Sequence, residues 1–187
     1  MSRGPGIRAM VCEALDGPDG LNLREVPRPA PGPGEVLISV AAAGVNFADS
    51  LIVAGKYQER PEPPFTPGFE VAGRVAEVGP GVARLRPGDR VAAMLDHGGF
   101  AEAAVARESQ AFVLPETMDF ETAAAFPIAY ATAHAALVWR AGLGTGEVLL
   151  VHGAAGGVGL AAVEVGKALG ARVIATAGGP EKLAVAL

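Results

Sequence analysis

Apolar positions change their rhythm partway along the chain. Up to about residue 115, short β-rich runs recur at Ile7 to Ala14, Leu21 to Val26, Val36 to Ala43, Val71 to Val78, Arg90 to Met94 and Phe100 to Ala106. Dense turn signals separate them, among them Asp16 to Gly20, Pro27 to Gly34, Gly79 to Gly81 and Arg86 to Asp89. That spacing predicts a twisted barrel or sandwich of mainly antiparallel strands. Thr122 to Trp139 then carries no formal charge and is rich in alanine. Alanine contributes little to membrane insertion, so two short buried helices broken near Pro127 fit better than a span, with Asp119 as the first N-cap. Beyond them, Val148 to Val151 is an apolar run of the kind that suits a parallel strand covered on both faces. A glycine-rich turn follows, then a helix from roughly Gly157 to Leu169 closed by Gly170, a second strand from Ala171 to Thr176, and a helix beginning near Pro180.

The change of rhythm divides the chain into a β-rich domain, residues 1–121, and residues 122–187, which hold connector helices and the start of an α/β domain. Strand, helix and strand fall within about 30 residues, the size of one such unit. The turn reads Ala154-x-Gly156-x-x-Gly159, with alanine at the first glycine position of a dinucleotide fingerprint. Free N–H groups and the positive end of the helix dipole face whatever sits over it, and a pyrophosphate is the natural occupant. Ala155, Gly156, Gly157 and Val158 are the expected contacts. An NAD site usually places an acidic residue at the end of the second strand. Here Ala175 to Lys182 offers small residues, including Gly178, and then a lysine. Room for a 2′-phosphate and a charge from Lys182 favour NADPH, unless Lys182 is an ordinary solvated lysine.

Composition narrows the classes further. The chain has 187 residues, half of them hydrophobic, and a net charge of −5, which argues against nucleic-acid binding. Its one cysteine, Cys12, excludes internal disulfides and a cysteine-rich zinc lobe. The first residues lack the apolar core of a signal peptide, so a cytoplasmic, membrane-free protein is expected. His97, His134 and His152 are widely spaced and form no ligand pair.

The motifs Gly44 to Asp49, Pro67 to Gly73, Val78 to Val82, Arg86 to Val91 and Val151 to Gly159, in that order, resemble the medium-chain dehydrogenase/reductase superfamily. Within it they are similar to the zinc-free NADPH:quinone oxidoreductase, or zeta-crystallin-like, branch. The resemblance implies a GroES-like β-barrel catalytic domain followed by the first part of a Rossmann domain, so the fold class is α/β plus β. It also implies hydride transfer from NADPH to a quinone or enone and a tendency to form homo-oligomers. Zinc-dependent members carry Cys and His where this chain has Asn46 and Phe69; an amide is a poor zinc ligand and a phenyl ring none, so no metal is expected. Asn46 then becomes a candidate to orient the nicotinamide or the acceptor oxygen, or else a loop cap. Asp49 is expected to hydrogen-bond the loop before acting as an acid. Tyr57 matches a tyrosine at the cleft mouth in similar proteins, where it would donate a proton or simply pack. Thr132 matches a threonine near the nicotinamide carboxamide. Glu70 and the turn residue Asp89 are read as structural.

Two alternatives stand beside the quinone reductase: an enoyl-thioester reductase of the same superfamily, and a non-catalytic nucleotide-binding or structural fragment. The second arises because a Rossmann domain has about six strands and only two are foreseen before Leu187. Two apolar strands with one or two helices leave part of a sheet uncovered, and an incomplete domain is the expectation.

Overall fold

The computed structural model describes residues 6–186; residues 1–5, part of the stretch read for a signal peptide, and Leu187 lie outside them. The chain forms two compact units, Met1–Pro127 and Ile128–Leu187.

In the first unit, β1 (Gly6–Cys12) pairs antiparallel with β2 (Leu21–Pro27). β3 (Glu35–Ala43), β4 (Glu70–Val78), β5 (Arg90–Met94), β6 (Ala103–Arg107) and β7 (Ala111–Val113) make an antiparallel sheet of order β6-β3-β4-β5-β7. Val36, Ile38, Val71, Val75, Val91 and Ala93 converge with Leu85 and Leu95 into one core, as inward positions of a pleated strand should. Isolated bridges Ala9↔Ala101 and Cys12↔Phe65 tie β1 to the rest of the unit.

Several limits differ from the sequence reading. β1 ends at Cys12 rather than Ala14, and the run from Phe100 pairs as a strand only from Ala103. Two elements were not foreseen: β7, and the seven-residue helix α1 (Phe47–Val53). The helix α2 (Phe120–Ala124) starts at the expected cap, where Asp119 accepts from the Thr122 N–H at 2.6 Å. Ala123 and Ala124 pack on Ala72 and Ala92 of the sheet. The Arg90 guanidinium lies 4.3 Å from the Phe120 ring centre, and it donates to the Met118 carbonyl. Those contacts pack α2 on the β-rich unit, and the two compact units meet at 127/128.

In the second unit, α3 (Pro127–His134) opens on the proline that follows α2 and widens into π-type turns over Ala135–Arg140. β8 (Val148–His152) and β9 (Arg172–Thr176) are parallel, joined by α4 (Gly157–Ala168); α5 (Pro180–Val185) follows. Gly170, at φ +79°, closes α4. Its N–H bonds to Lys167 O and the Ala171 N–H to Gly166 O, the paired pattern of a left-handed C-cap. Leu149, Val151, Val163, Val173 and Ala175 form the unit's core with Ala154 and Ala186. Val148 to Val151 is not covered on both faces, as the apolar run alone suggests, but is left partly bare, as the expected two-strand sheet implies: Val148 is 60% and Leu150 52% exposed, and Ile174 of β9 is 44% exposed. α4 covers only the face bearing Leu149 and Val151, and an apolar run reveals nothing about how many layers meet it. Among the described residues, no helix is long and apolar enough to cross a membrane.

Candidate functional site

Two groups of the foreseen residues come together, one in each unit. In the first, Asn46 is the N-cap of α1 and Asp49 lies in its first turn. Asp49 Oδ2 accepts from the Asn46 backbone N–H at 2.7 Å, the return half of a capping box. Asn46 Nδ2 donates to Glu70 Oε1 at 2.7 Å. Glu70, read from sequence as merely structural, is therefore a direct partner of the candidate amide. Both acids are buried, Asp49 at 4% and Glu70 at 2% exposure. Burial pushes the Asp49 carboxyl above its ordinary range, against the downward pull of the Asn46 and Gly68 N–H groups. Asp49 Oδ1 has no partner at hydrogen-bond geometry, so the Gly68 interaction is weak.

α1 ends as neatly as it begins. The Gly55 N–H bonds to Ile52 O and the Lys56 N–H to Leu51 O, with Gly55 at φ +65°. This C-cap delivers Tyr57 to Phe69, ring centres 5.5 Å apart and planes at 51°. Tyr57 is half-buried, and Phe69 is buried. Among the described residues, no group of three or more His, Cys, Asp or Glu is placed to hold a metal. Asp89 accepts from the Arg86 N–H at 2.8 Å and so secures its turn.

The second group surrounds the glycine turn. A hollow of about 280 Å³ is lined by Gly153, Ala155, Gly156, Ala177, Gly178 and Lys182. Three expected cofactor contacts besides the turn's Ala155 thus meet: Gly156, Gly178 and Lys182. Gly157 and Val158 start α4 beside it, and Val158 is 43% exposed. Gly153, which the fingerprint does not include, makes the bend at φ +65°. A Cβ on Gly159 would stand 2.3 Å from Gly153 O, so strand and helix meet too closely there for any side chain. A Cβ on Gly157 or Gly178 would meet nothing within 4 Å. Neither glycine is required by the protein's own packing, and Gly178 leaves that side of the hollow open. Gly156 is the N-cap of α4 and brings no side chain to its first N–H groups. A bare helix end, a lysine and open glycine faces fit a phosphate-bearing ligand.

His152 closes β8, its Nδ1 2.9 Å from Thr176 Oγ1, in keeping with a strand-end role. Thr132 lies on the exposed side of α3. The opposite side of that helix packs through Ala129 and Ala133 on Ala161 of α4. Tyr130 donates to Glu164 of α4, a bond that raises the phenol above its ordinary range, with burial adding to it. Sequence reasoning passed over this pair, and no motif marks it.

Residues 32–116 match the alcohol dehydrogenase GroES-like domain. The quinone oxidoreductase of Rattus norvegicus is 44% identical over 177 residues, covering 94% of this chain and 54% of that protein. Crystal structures of the quinone oxidoreductase from Thermus thermophilus, including its complex with NADPH, match with a TM-score of 0.85 at 43% identity, over 96% of this chain and 56% of that one. The CurK enoyl reductase structure matches with a TM-score of 0.86 at 33% identity, over 97% and 56%. The chain spans about half the length of the curated relatives it matches. A GroES-like unit leading into the start of an α/β unit, with the motifs in the same order, is what the chain shares with them: over nearly its whole length it is similar to quinone oxidoreductases of the medium-chain dehydrogenase/reductase superfamily.

Proposed function

We propose that this chain contributes to NADPH-dependent, metal-independent reduction of a quinone or related activated carbonyl. The observation that carries the reading is the hollow at the bare N-terminus of α4, with Lys182 on its rim and glycines that leave it open. The N–H groups of Gly157 and Val158 would hold the pyrophosphate, and Lys182 the 2′-phosphate. When bound, NADPH supplies the hydride, which leaves C4 of its nicotinamide. The protein's share is to orient that ring, to align the acceptor and to offset charge on the acceptor oxygen. Asn46 and Thr132 are assigned to orientation. Tyr57 is assigned to a hydrogen bond or proton at the acceptor, and Asp49 to holding the Asn46 loop. A quinone suits this arrangement, because its reduced anion is stable and collects a proton from solvent. Metal independence rests on the donor set: Asn46 and Phe69 offer no good zinc ligand.

The test is oxidation of NADPH by a small benzoquinone, without added metal, followed at the nicotinamide absorbance. Turnover unaffected by a chelator is expected, and strong inhibition by the chelator would refute the metal-free reading. Lys182→Ala should weaken NADPH binding about tenfold, as loss of one charge-assisted phosphate contact does, and leave NADH unchanged. Equal loss for both cofactors would remove Lys182 from the 2′-phosphate. The likeness to an enoyl reductase supports a second reading, reduction of an enoyl thioester. Crotonyl-CoA against benzoquinone in the same assay separates the two.

A further inference from the structure

Asn46 has two possible faces, and the surrounding acids choose between them. Its Nδ2 stands 2.7 Å from Glu70 Oε1, and a carboxylate oxygen accepts but does not donate. The nitrogen side of the amide therefore faces Glu70, and its carbonyl oxygen is turned to the start of α1, where the capping box gives it the Asp49 backbone N–H as a first donor and its second lone pair is the one a ligand would use. The lock is built into the backbone. A Cβ on Gly44 would lie 2.2 Å from that same Oε1 and 2.5 Å from the Ala124 carbonyl oxygen, so Glu70 reaches Asn46 through space that only glycine leaves. The Gly44 N–H also bonds to Glu70 O at 3.2 Å. From the opposite direction, Asp49 Oδ2 holds the Asn46 backbone N–H at 2.7 Å. Asn46 is thus clasped twice, at its backbone and at its amide, by two buried acids.

Such surroundings bias the chemistry of the amide. Negative charge developing beside two carboxylates at low dielectric is unfavourable. An amide whose N–H₂ leans on a carboxylate is also polarised toward a better acceptor at oxygen. We infer that Glu70 is a positioning residue that locks Asn46 as a hydrogen-bond acceptor, so that Asn46 holds an N–H donor such as a primary carboxamide and does not stabilise the acceptor's developing oxyanion. The identity of that donor as the nicotinamide carboxamide rests on the NADPH reading; the lock does not.

Two measurements on the full chain decide the matter separately. In ¹⁵N-labelled protein, with N46A to assign the signals, one Asn46 side-chain proton should resonate downfield, shift partway back in E70Q, which keeps an acceptor but not the charge, and lose the shift in E70A. Side-chain resonances that stay put in E70A would overturn the lock. In the NADPH and benzoquinone assay, N46A and E70A should each raise the KM for NADPH about tenfold, the scale of one lost hydrogen bond. The value of kcat should hold within about twofold, the pattern of lost binding rather than lost transition-state contact. The double variant should be no worse than the weaker single. A fall in kcat at unchanged NADPH KM would overturn the acceptor role and assign Asn46 to the oxyanion. If the unaltered chain does not oxidise NADPH, the proposed activity fails, while the side-chain resonances still decide the lock. Should E70A fail to fold, E70D, which keeps the charge but withdraws it by one methylene, reads the same two signals.

Discussion

The two units treat similar apolar strands in opposite ways. In the first, Val36, Ile38, Val71 and Val91 are wholly buried, because a five-stranded sheet and the turns between its strands close over them. In the second, Val148, Leu150 and Ile174 look the same in sequence but stand largely in solvent, because two strands have α4 on one face. Hydrophobicity states a demand for cover. Topology decides whether it is met.

That contrast can be broken by substitution. Ile38→Ala should lower stability by about 2–5 kcal/mol, the range for truncating a filled core, whereas Leu150→Ala should change it by less than about 0.5 kcal/mol. Paired urea melts measure the difference; equal losses would mean that Leu150 is covered in solution by something else, such as a second copy. Gly44→Ala comes next, at about 1–3 kcal/mol, the scale of overpacking, since its new methyl meets both the Ala124 carbonyl and Glu70. A neutral result would show that the loop before α1 yields more readily than the sheet beneath it.

The smallest effect is a pH dependence. Asp49 titrates above its ordinary value of 3.8 because burial disfavours its charge. The folded protein then holds that proton at a pH where the unfolded chain has released it. This stability is complete below the unfolded value and is lost as pH rises through the folded one. Asp49→Asn should therefore gain on the unaltered chain as pH climbs above about 4, and keep the N-cap contact through its amide oxygen. Thermal melts at stepped pH check it; a parallel course for both proteins would show that the carboxylate is well solvated.

Much of the second unit was legible. Strand, bend, helix and closing glycine each leave a local mark, and Gly156, Gly178 and Lys182 gather at one hollow. The apolar run alone did not tell that Val148 and Leu150 stay exposed, but the small number of strands and helices around it did, since it leaves part of the sheet bare. In the first unit, β4 and β5 were clear as β-rich runs set off by turn signals. β7, three residues long with Phe112 and Val113 exposed at the sheet's edge, had no alternation to display. α1 is too short for a helical period. Its signal was the capping pair, Asn46 with an acid three residues on, which was weighed as chemistry rather than as a helix start. Glu70 escaped for another reason: it is 24 residues from Asn46, and only the return of β4 beside α1 joins them.

α1 also acts as a ruler. Asn46 caps one end and the turn that delivers Tyr57 closes the other, each fastened by its own hydrogen bonds. Seven helical residues set the spacing at roughly 10 Å along the axis. One inserted residue would turn Tyr57 by roughly 100° around that axis relative to Asn46. Side chains in α1 can be exchanged one by one, but its length is a mechanical specification for the two groups it carries.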